Sequence, residues 1–165
     1  MKDFLIRIIA SCFCLGYIPF APGTFGTLAG SVLFYFLRHH TTGWFVLFVL
    51  VFAVAAIIVS HLAEKAFKQK DCQRIVIDEV AGVLCCYALV PYSPLNLVLG
   101  FILFRIFDIA KLPPARQAQD RLYGGLGVVM DDLVAGLQAG LILLFLPMLI
   151  KWAEAALIWL ERTMG

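Results

Sequence analysis

Five acidic residues sit where an oily chain tolerates them least: Asp78 and Glu79, Asp108, and Asp131 with Asp132. Each pair opens a long apolar run, and Asp108 lies near the end of another. Carboxylates beside lipid are costly unless paired, hydrated or bound to a cation. Grouped carboxylates are hard oxygen donors of the kind that hold Mg²⁺ together with a phosphate. Three basic or anion-seeking elements accompany them. Arg105, Asp108 and Lys111 are spaced three apart and so share one helix face; Arg105 and Lys111 can bind phosphate oxygens, the arginine bidentately. Pro22-Gly23-Thr24-Phe25-Gly26-Thr27 places a Pro-Gly turn before a threonine that can cap a helix. The unpaired N–H groups at such a helix start, with the dipole behind them, favour an anion. Gly124, Gly125 and Gly127 form a close-approach or hinge segment in front of Asp131-Asp132. The chemistry these residues suit is metal-assisted hydrolysis of a phosphate.

Each feature also has a plainer reading. Asp78 and Glu79 can be ordinary acids in a first helical turn. Arg105, Asp108 and Lys111 can form an internal ion ladder, and Thr24 can be a simple cap. The stretch from Asp120 to Asp132 matches neither phosphate-loop nor dinucleotide fingerprints. There is no G-x-S-x-G and no visible Cys–His pairing, which argues against serine or cysteine hydrolases. The five cysteines lack CxxC spacing; Cys12 and Cys14 are a weak metal signal, and buried free thiols are expected. His39, His40 and His61 read as structural.

The positioning elements follow from hydropathy. The chain has 165 residues, 62% of them hydrophobic and 15% charged, with a mean hydropathy of +0.95. Residues 43–59 carry no charge, and 133–150 hold one glutamine and one proline. With their flanks both reach the ~20 residues needed to span a bilayer. Other helices are shorter. The helix expected from Thr24 to about Leu37 covers only ~21 Å, less than the ~30 Å hydrocarbon core. Residues 80–90 and 95–109 form a second short hairpin, broken at Pro91-Tyr92-Ser93-Pro94. The last long helix is expected to start at Met130. The fold class is therefore all-α: a small polytopic membrane helix bundle with short helical hairpins and broken helices. One domain covers 1–165, with 1–20 as a retained amphipathic or re-entrant segment. The tail 152–165, with Trp152, Glu154, Trp159, Glu161 and Arg162, reads as an amphipathic surface helix.

Lys65, Lys68, Lys70 and Arg74 crowd one loop, and Arg105, Lys111, Arg116 and Arg121 another. A Lys/Arg excess marks the cytoplasmic side. Placing the 64–77 loop there also brings the second basic loop inside, and puts all five acids, Thr24, Arg105 and Lys111 at the cytoplasmic ends of their helices. A weak echo links Asp78-Glu79-Val80-Ala81-Gly82 to Asp131-Asp132-Leu133-Val134-Ala135-Gly136. Small residues let helices pack closely in lipid, which would draw the acidic pairs together. The net charge of +2 is too small to suggest a nucleic-acid partner. A rival reading is a small ion or proton transporter using membrane-end carboxylates. It would prefer charges near mid-membrane, on both sides of a pathway. A non-catalytic assembly protein, whose acids only pair with Arg105 and Lys111, is a second rival.

Together, Pro22 to Thr27, Asp78-Glu79-Val80-Ala81-Gly82, Phe104-Arg105-Ile106-Phe107-Asp108-Ile109-Ala110-Lys111 and the run from Gly124 to Gly136 resemble the phosphatidylglycerophosphatase A family. Order and spacing match over about residues 17–140. Leu112 and Ala115 depart from the family pattern, at a usual proline and a usual isoleucine. The resemblance implies a multi-pass enzyme of the bacterial inner membrane, Mg²⁺-dependent, that removes the terminal phosphate of phosphatidylglycerophosphate. Its site would face the cytoplasm, and its partner would be the phospholipid substrate, with oligomeric state left open. On this reading Glu79, Asp131 and Asp132 hold metal, with Asp78 and Asp108 as further ligands or water-orienting groups, and Asp78, Asp108 and Asp131 serve catalysis. Thr24, Thr27, Arg105 and Lys111 bind the phosphate. Either a carboxylate or a water attacks.

Overall fold

A computed structural model describes residues 2–70, 72–114, 117 and 122–164, with side chains beyond Glu154 described at Ala156 and Trp159 only. Asp120, Arg116, Arg121 and Ala115, and the side chains of Glu161 and Arg162, lie outside that set. Among the described residues the fold is a small all-α membrane bundle of six helices: α1 Lys2–Ala10, α2 Pro22–Leu37, α3 Thr42–Phe67, α4 Ile77–Tyr87, α5 Pro94–Ala110 and α6 Gly125–Met164.

Local chemistry sets the boundaries. Helix α2 starts at Pro22, two residues before the expected Thr24. Proline suits the first helical position, where its fixed φ fits and its missing N–H costs nothing. Helix α3 runs about two turns past the uncharged stretch 43–59, because Leu-Ala-Glu-Lys-Ala are good helix formers. It stops where Lys68 turns left-handed and the Gln69 N–H reaches the Glu64 carbonyl at 3.2 Å. Ser93 caps α5 by accepting the Asn96 N–H at 2.9 Å, with Pro94 next.

Helix α6 starts at Gly125, not Met130. Gly125 is a helix–helix close approach: a methyl group there would strike the Ile57 carbonyl and the His61 N–H of α3, while Gly127 packs on the Leu122 carbonyl. The consequence is that Asp131 and Asp132 stand nearly two turns inside the helix. Helix α6 continues through Pro147 to Met164 without a break. The tail read as a separate surface helix is thus continuous with the long span.

Short α4 is the hub, buried along almost its whole length. It runs parallel to α6, with Gly82 against Asp132 and Gly136, and Cys86 against Gly140. It also runs parallel to α2, where Val76 meets Gly26, Val83 meets Gly30, and the Phe34 and Tyr87 rings stack at 4.4 Å. Helix α5 runs the opposite way, placing Phe104 on Gly82 and Gly100 on Tyr87. The starts of α2, α4 and α6 and the ends of α3 and α5 therefore meet at one end of the bundle. Helix α1 is tied there too. The Arg7 guanidinium bonds the Ala66 carbonyl and lies over the Phe67 ring, and the Val76 N–H donates to the Ala10 carbonyl at 2.9 Å.

The outer surface is aliphatic. Val51 on α3 and Leu149 on α6 are each more than half exposed, among many large apolar neighbours. Thr42–Phe67 and Gly125–Glu154 are long and apolar enough to cross a membrane. In water, so broad an apolar surface would be an aggregation hazard; in lipid it is solvated. Tyr35, His40, Trp44 and Tyr92 gather at the end away from the acids, where aromatic rings favour a membrane interface.

Candidate active site

The close crossing of α4 and α6 assembles the acidic centre. Gly82 follows Asp78 by one turn, and Gly136 follows Asp132 by one turn. The two glycines face each other so tightly that a methyl group on Gly136 would collide with the Gly82 carbonyl. One turn along, Asp78, Glu79 and Asp132 each offer a carboxylate oxygen within 4.8 Å of the others. Asp78, Asp131 and Asp132 are buried. Like charges this close require a shared proton or a cation between them.

Helix α5 supplies the positive charge. Arg105 forms an ion pair with Asp108 along its own helix. The ladder of the plainer reading does not extend to Lys111. Lys111 adopts a left-handed conformation as it ends α5, and its Nζ pairs with Asp131 of α6 at 3.1 Å instead. Each cation is thus held beside a carboxylate at the edge of the acidic trio. The trio contains Glu79 and Asp132 of the expected ligands and Asp78, expected as a further ligand or water-orienting group, while Asp131 stands beside it.

A pocket of about 500 Å³ opens onto these groups. All five acids, Arg105 and Lys111 line it, together with Pro22 and Gly23 from the start of α2. A Cβ at position 23 would press on the Glu79 carboxylate and lie 3.0 Å from an Arg105 nitrogen, so those side chains would have to shift. Thr24 and Thr27 do not line the pocket. The Thr24 N–H bonds the Ala21 carbonyl at 2.9 Å, and the fully buried Thr27 hydroxyl donates to the Gly23 carbonyl at 2.9 Å. Cys72 and Gln73 do line it, from the loop before α4. Sequence reasoning treated that loop only as a topology marker. Their place depends on the tie between Val76 and Ala10, which no local pattern announces. Of the cysteines, Cys72 and Cys86 are buried as expected, whereas Cys14 is exposed. None of the three histidines lines the pocket.

The donor set fits a hard divalent cation: three carboxylates from two rigid helices, with the buried Oε2 of Glu79 lacking a hydrogen-bond partner among the described residues. Beside it stand two cations and a helix start, the groups that bind phosphate. Donors suited to a metal ion and groups suited to a phosphate therefore adjoin at the rim of an apolar bundle.

Residues 8–147 match the family described as Phosphatidylglycerophosphatase A. The chain belongs to that family. It is accordingly an enzyme of the phosphoric monoester hydrolase class. A relative named phosphatidylglycerophosphatase A in Escherichia coli (strain K12) is 31% identical over 141 residues, covering 85% of this chain and 82% of the relative. One of the same name in Haemophilus influenzae is 33% identical over 138 residues, 81% of this chain and 83% of the relative. A Bacteroides thetaiotaomicron protein, provisionally named a phosphatidylinositol-3-phosphatase, is 37% identical over 142 residues, 81% of this chain and 88% of the relative. No solved structure matches.

Proposed function

We propose that the protein hydrolyses phosphatidylglycerophosphate to phosphatidylglycerol and inorganic phosphate, with Mg²⁺, as a step of phospholipid biosynthesis. It would work at the cytoplasmic face of a bacterial inner membrane, as one domain over 1–165, with residues 1–20 and 152–165 at the interface. The observation that carries this reading is the carboxylate trio beside Arg105 and Lys111, at one end of a lipid-solvated bundle. A transport pathway would need polar groups along its length, whereas these are confined to one end.

Mg²⁺ held by Asp78, Glu79 and Asp132 would supply Lewis-acid charge to the phosphate oxygens. The rest falls to the protein's own residues. Arg105 and Lys111 would bind the phosphate, with Asp108 and Asp131 fixing where those cations point. The Gly23 N–H at the start of α2 would add a donor, and the missing side chain would let the phosphate approach. Thr24 and Thr27 would brace that helix start rather than touch substrate. In the net reaction the P–O bond to the glycerol oxygen breaks and that oxygen takes a proton. Water's oxygen ends on phosphorus, either directly or after an aspartate has carried the phosphoryl group. Burial of the acids keeps bulk water away from their charges, which strengthens every interaction in the pocket.

The test is phosphate release by purified protein in detergent, with EDTA and with Mg²⁺ restored. Release that stops with EDTA and returns with Mg²⁺ is expected; release indifferent to EDTA overturns the metal. The name of the 37%-identical relative makes a phosphoinositide the natural competitor substrate. Faster turnover of phosphatidylinositol-3-phosphate than of phosphatidylglycerophosphate would overturn the substrate assignment.

A further inference from the structure

A second cavity lies on the lipid-facing side of the bundle, between α2 and α5. It measures about 420 Å³ and is walled by Leu28, Val32 and Phe36 of α2 and by Leu97, Val98 and Phe101 of α5. Phe36 and Val98 are more than half exposed and Leu28 and Val32 nearly half, so the cavity is an open groove rather than a sealed void. Its one buried polar wall residue, Ser31, is turned inward. The Ser31 hydroxyl lies 2.8 Å from the Tyr87 hydroxyl, which in turn donates to the Leu97 carbonyl at 2.8 Å. That bridge ties α2 to α5 through α4 and leaves an apolar surface outside.

The groove and the acidic pocket share the same two helices. Phe101 stands one turn from Arg105, and Leu28 stands little more than one turn from Gly23. The groove therefore continues from the phosphate-binding end toward the middle of the bundle, over about 12 Å from Arg105 to Leu97 at the rise of a helix. A ligand with a phosphate at one end and a hydrocarbon at the other fits that succession of surfaces.

We propose that the α2–α5 groove seats an acyl chain of the lipid whose phosphate enters the acidic pocket. This rests on the lipid-phosphatase reading and adds to it a lateral route of entry between α2 and α5. The groove makes the enzyme selective for long chains: each methylene taken from it weakens binding, because burying one in an apolar surrounding is favourable.

The test compares long-chain phosphatidylglycerophosphate with its water-soluble deacylated head group as substrates. Val32→Trp and Val98→Trp fill the groove at half-exposed positions that the core does not need. The ratio of the two KM values, long-chain over deacylated, should rise roughly tenfold, as if the burial of about two methylenes were lost. Val98→Ala, which removes contact without adding bulk, should move the ratio the same way by a smaller factor. Val51→Trp, on the lipid-facing side of α3, should leave it unchanged. A ratio that stays at the wild-type value in both groove-filling variants, with melting temperatures unchanged, overturns the groove. Wild-type protein that releases phosphate from neither substrate overturns the lipid-phosphatase reading, and the groove with it.

Discussion

Replacing Gly136 with alanine adds one methyl group, more than a full turn from the nearest acid, and should nonetheless silence the enzyme. That methyl would meet the Gly82 carbonyl closer than any ordinary contact, and the Cys85 Cβ at 3.3 Å. Both obstacles belong to α4 near its backbone, so no side chain can swing away. The helices must separate by about 1 Å to restore a normal carbon–oxygen distance. Such overpacking costs about 1–3 kcal/mol of stability, which lowers the melting temperature without abolishing the fold. The larger effect is on chemistry. Asp132 rides on α6 one turn from Gly136, whereas Asp78 and Glu79 ride on α4 one turn from Gly82. Separation of the helices thus opens the trio directly, and a misplacement of about 1 Å commonly costs about 100-fold in rate. Phosphate release at saturating Mg²⁺, measured with a thermal melt of the same preparation, separates the two effects. Gly43→Ala, where a methyl meets nothing within 4 Å, is the control. Near-normal turnover in Gly136→Ala would refute the claim that the α4–α6 crossing sets the geometry of the acidic centre.

Three further outcomes are expected. Glu79→Gln and Asp132→Asn should each remove the rise in melting temperature that Mg²⁺ gives the wild type, and should cut phosphate release about 100-fold; an unaltered Mg²⁺-dependent shift in both would exclude them as ligands. Arg105→Lys keeps the charge but loses the planar fork, so KM should rise about tenfold while the fold is kept; an unchanged KM would place the phosphate elsewhere. Tyr87→Phe breaks the bridge between Ser31 and Leu97 and should cost about 0.6–1.7 kcal/mol in detergent unfolding; a larger rate loss than stability loss would mean that the bridge also shapes the pocket.

Much of this architecture is written in local chemistry. The prolines at 19, 22, 91 and 94 interrupt the apolar runs, and the structure keeps those breaks. The acid-then-glycine echo around Asp78 and Asp132 foretold which helices would lie closest. Other features depend on what a segment meets after folding. The glycines before Asp131 look like a hinge because glycine in a helix costs about 1 kcal/mol relative to alanine. Instead Gly124 is a left-handed turn residue, Gly125 opens the helix with its bare backbone against Ile57 and His61, and Gly127 packs on the Leu122 carbonyl. Lys111 belongs to the face of Arg105 and Asp108 by spacing alone. The left-handed turn that ends α5 redirects it to Asp131. Threonines at 24 and 27 promise hydroxyls for an anion, yet a helix has two faces, and Thr27 spends its hydroxyl on the backbone of its own helix.

These displacements share a physical cause. Lipid supplies no hydrophobic force to press one helix on another, so the bundle is held by close backbone contact and a few polar ties. Both demand small residues at crossings, and the tightest, Gly136 on Gly82, lies one turn from the acids. The arrangement that stabilises the bundle is therefore the arrangement that brings its carboxylates together. Repulsion among those carboxylates works against the same contacts. A cation bound at the trio should relieve it, so Mg²⁺ should tighten the α4–α6 crossing itself. Amide hydrogen exchange of α4 in detergent would then slow on adding Mg²⁺, and exchange that is blind to the metal would separate packing from the site.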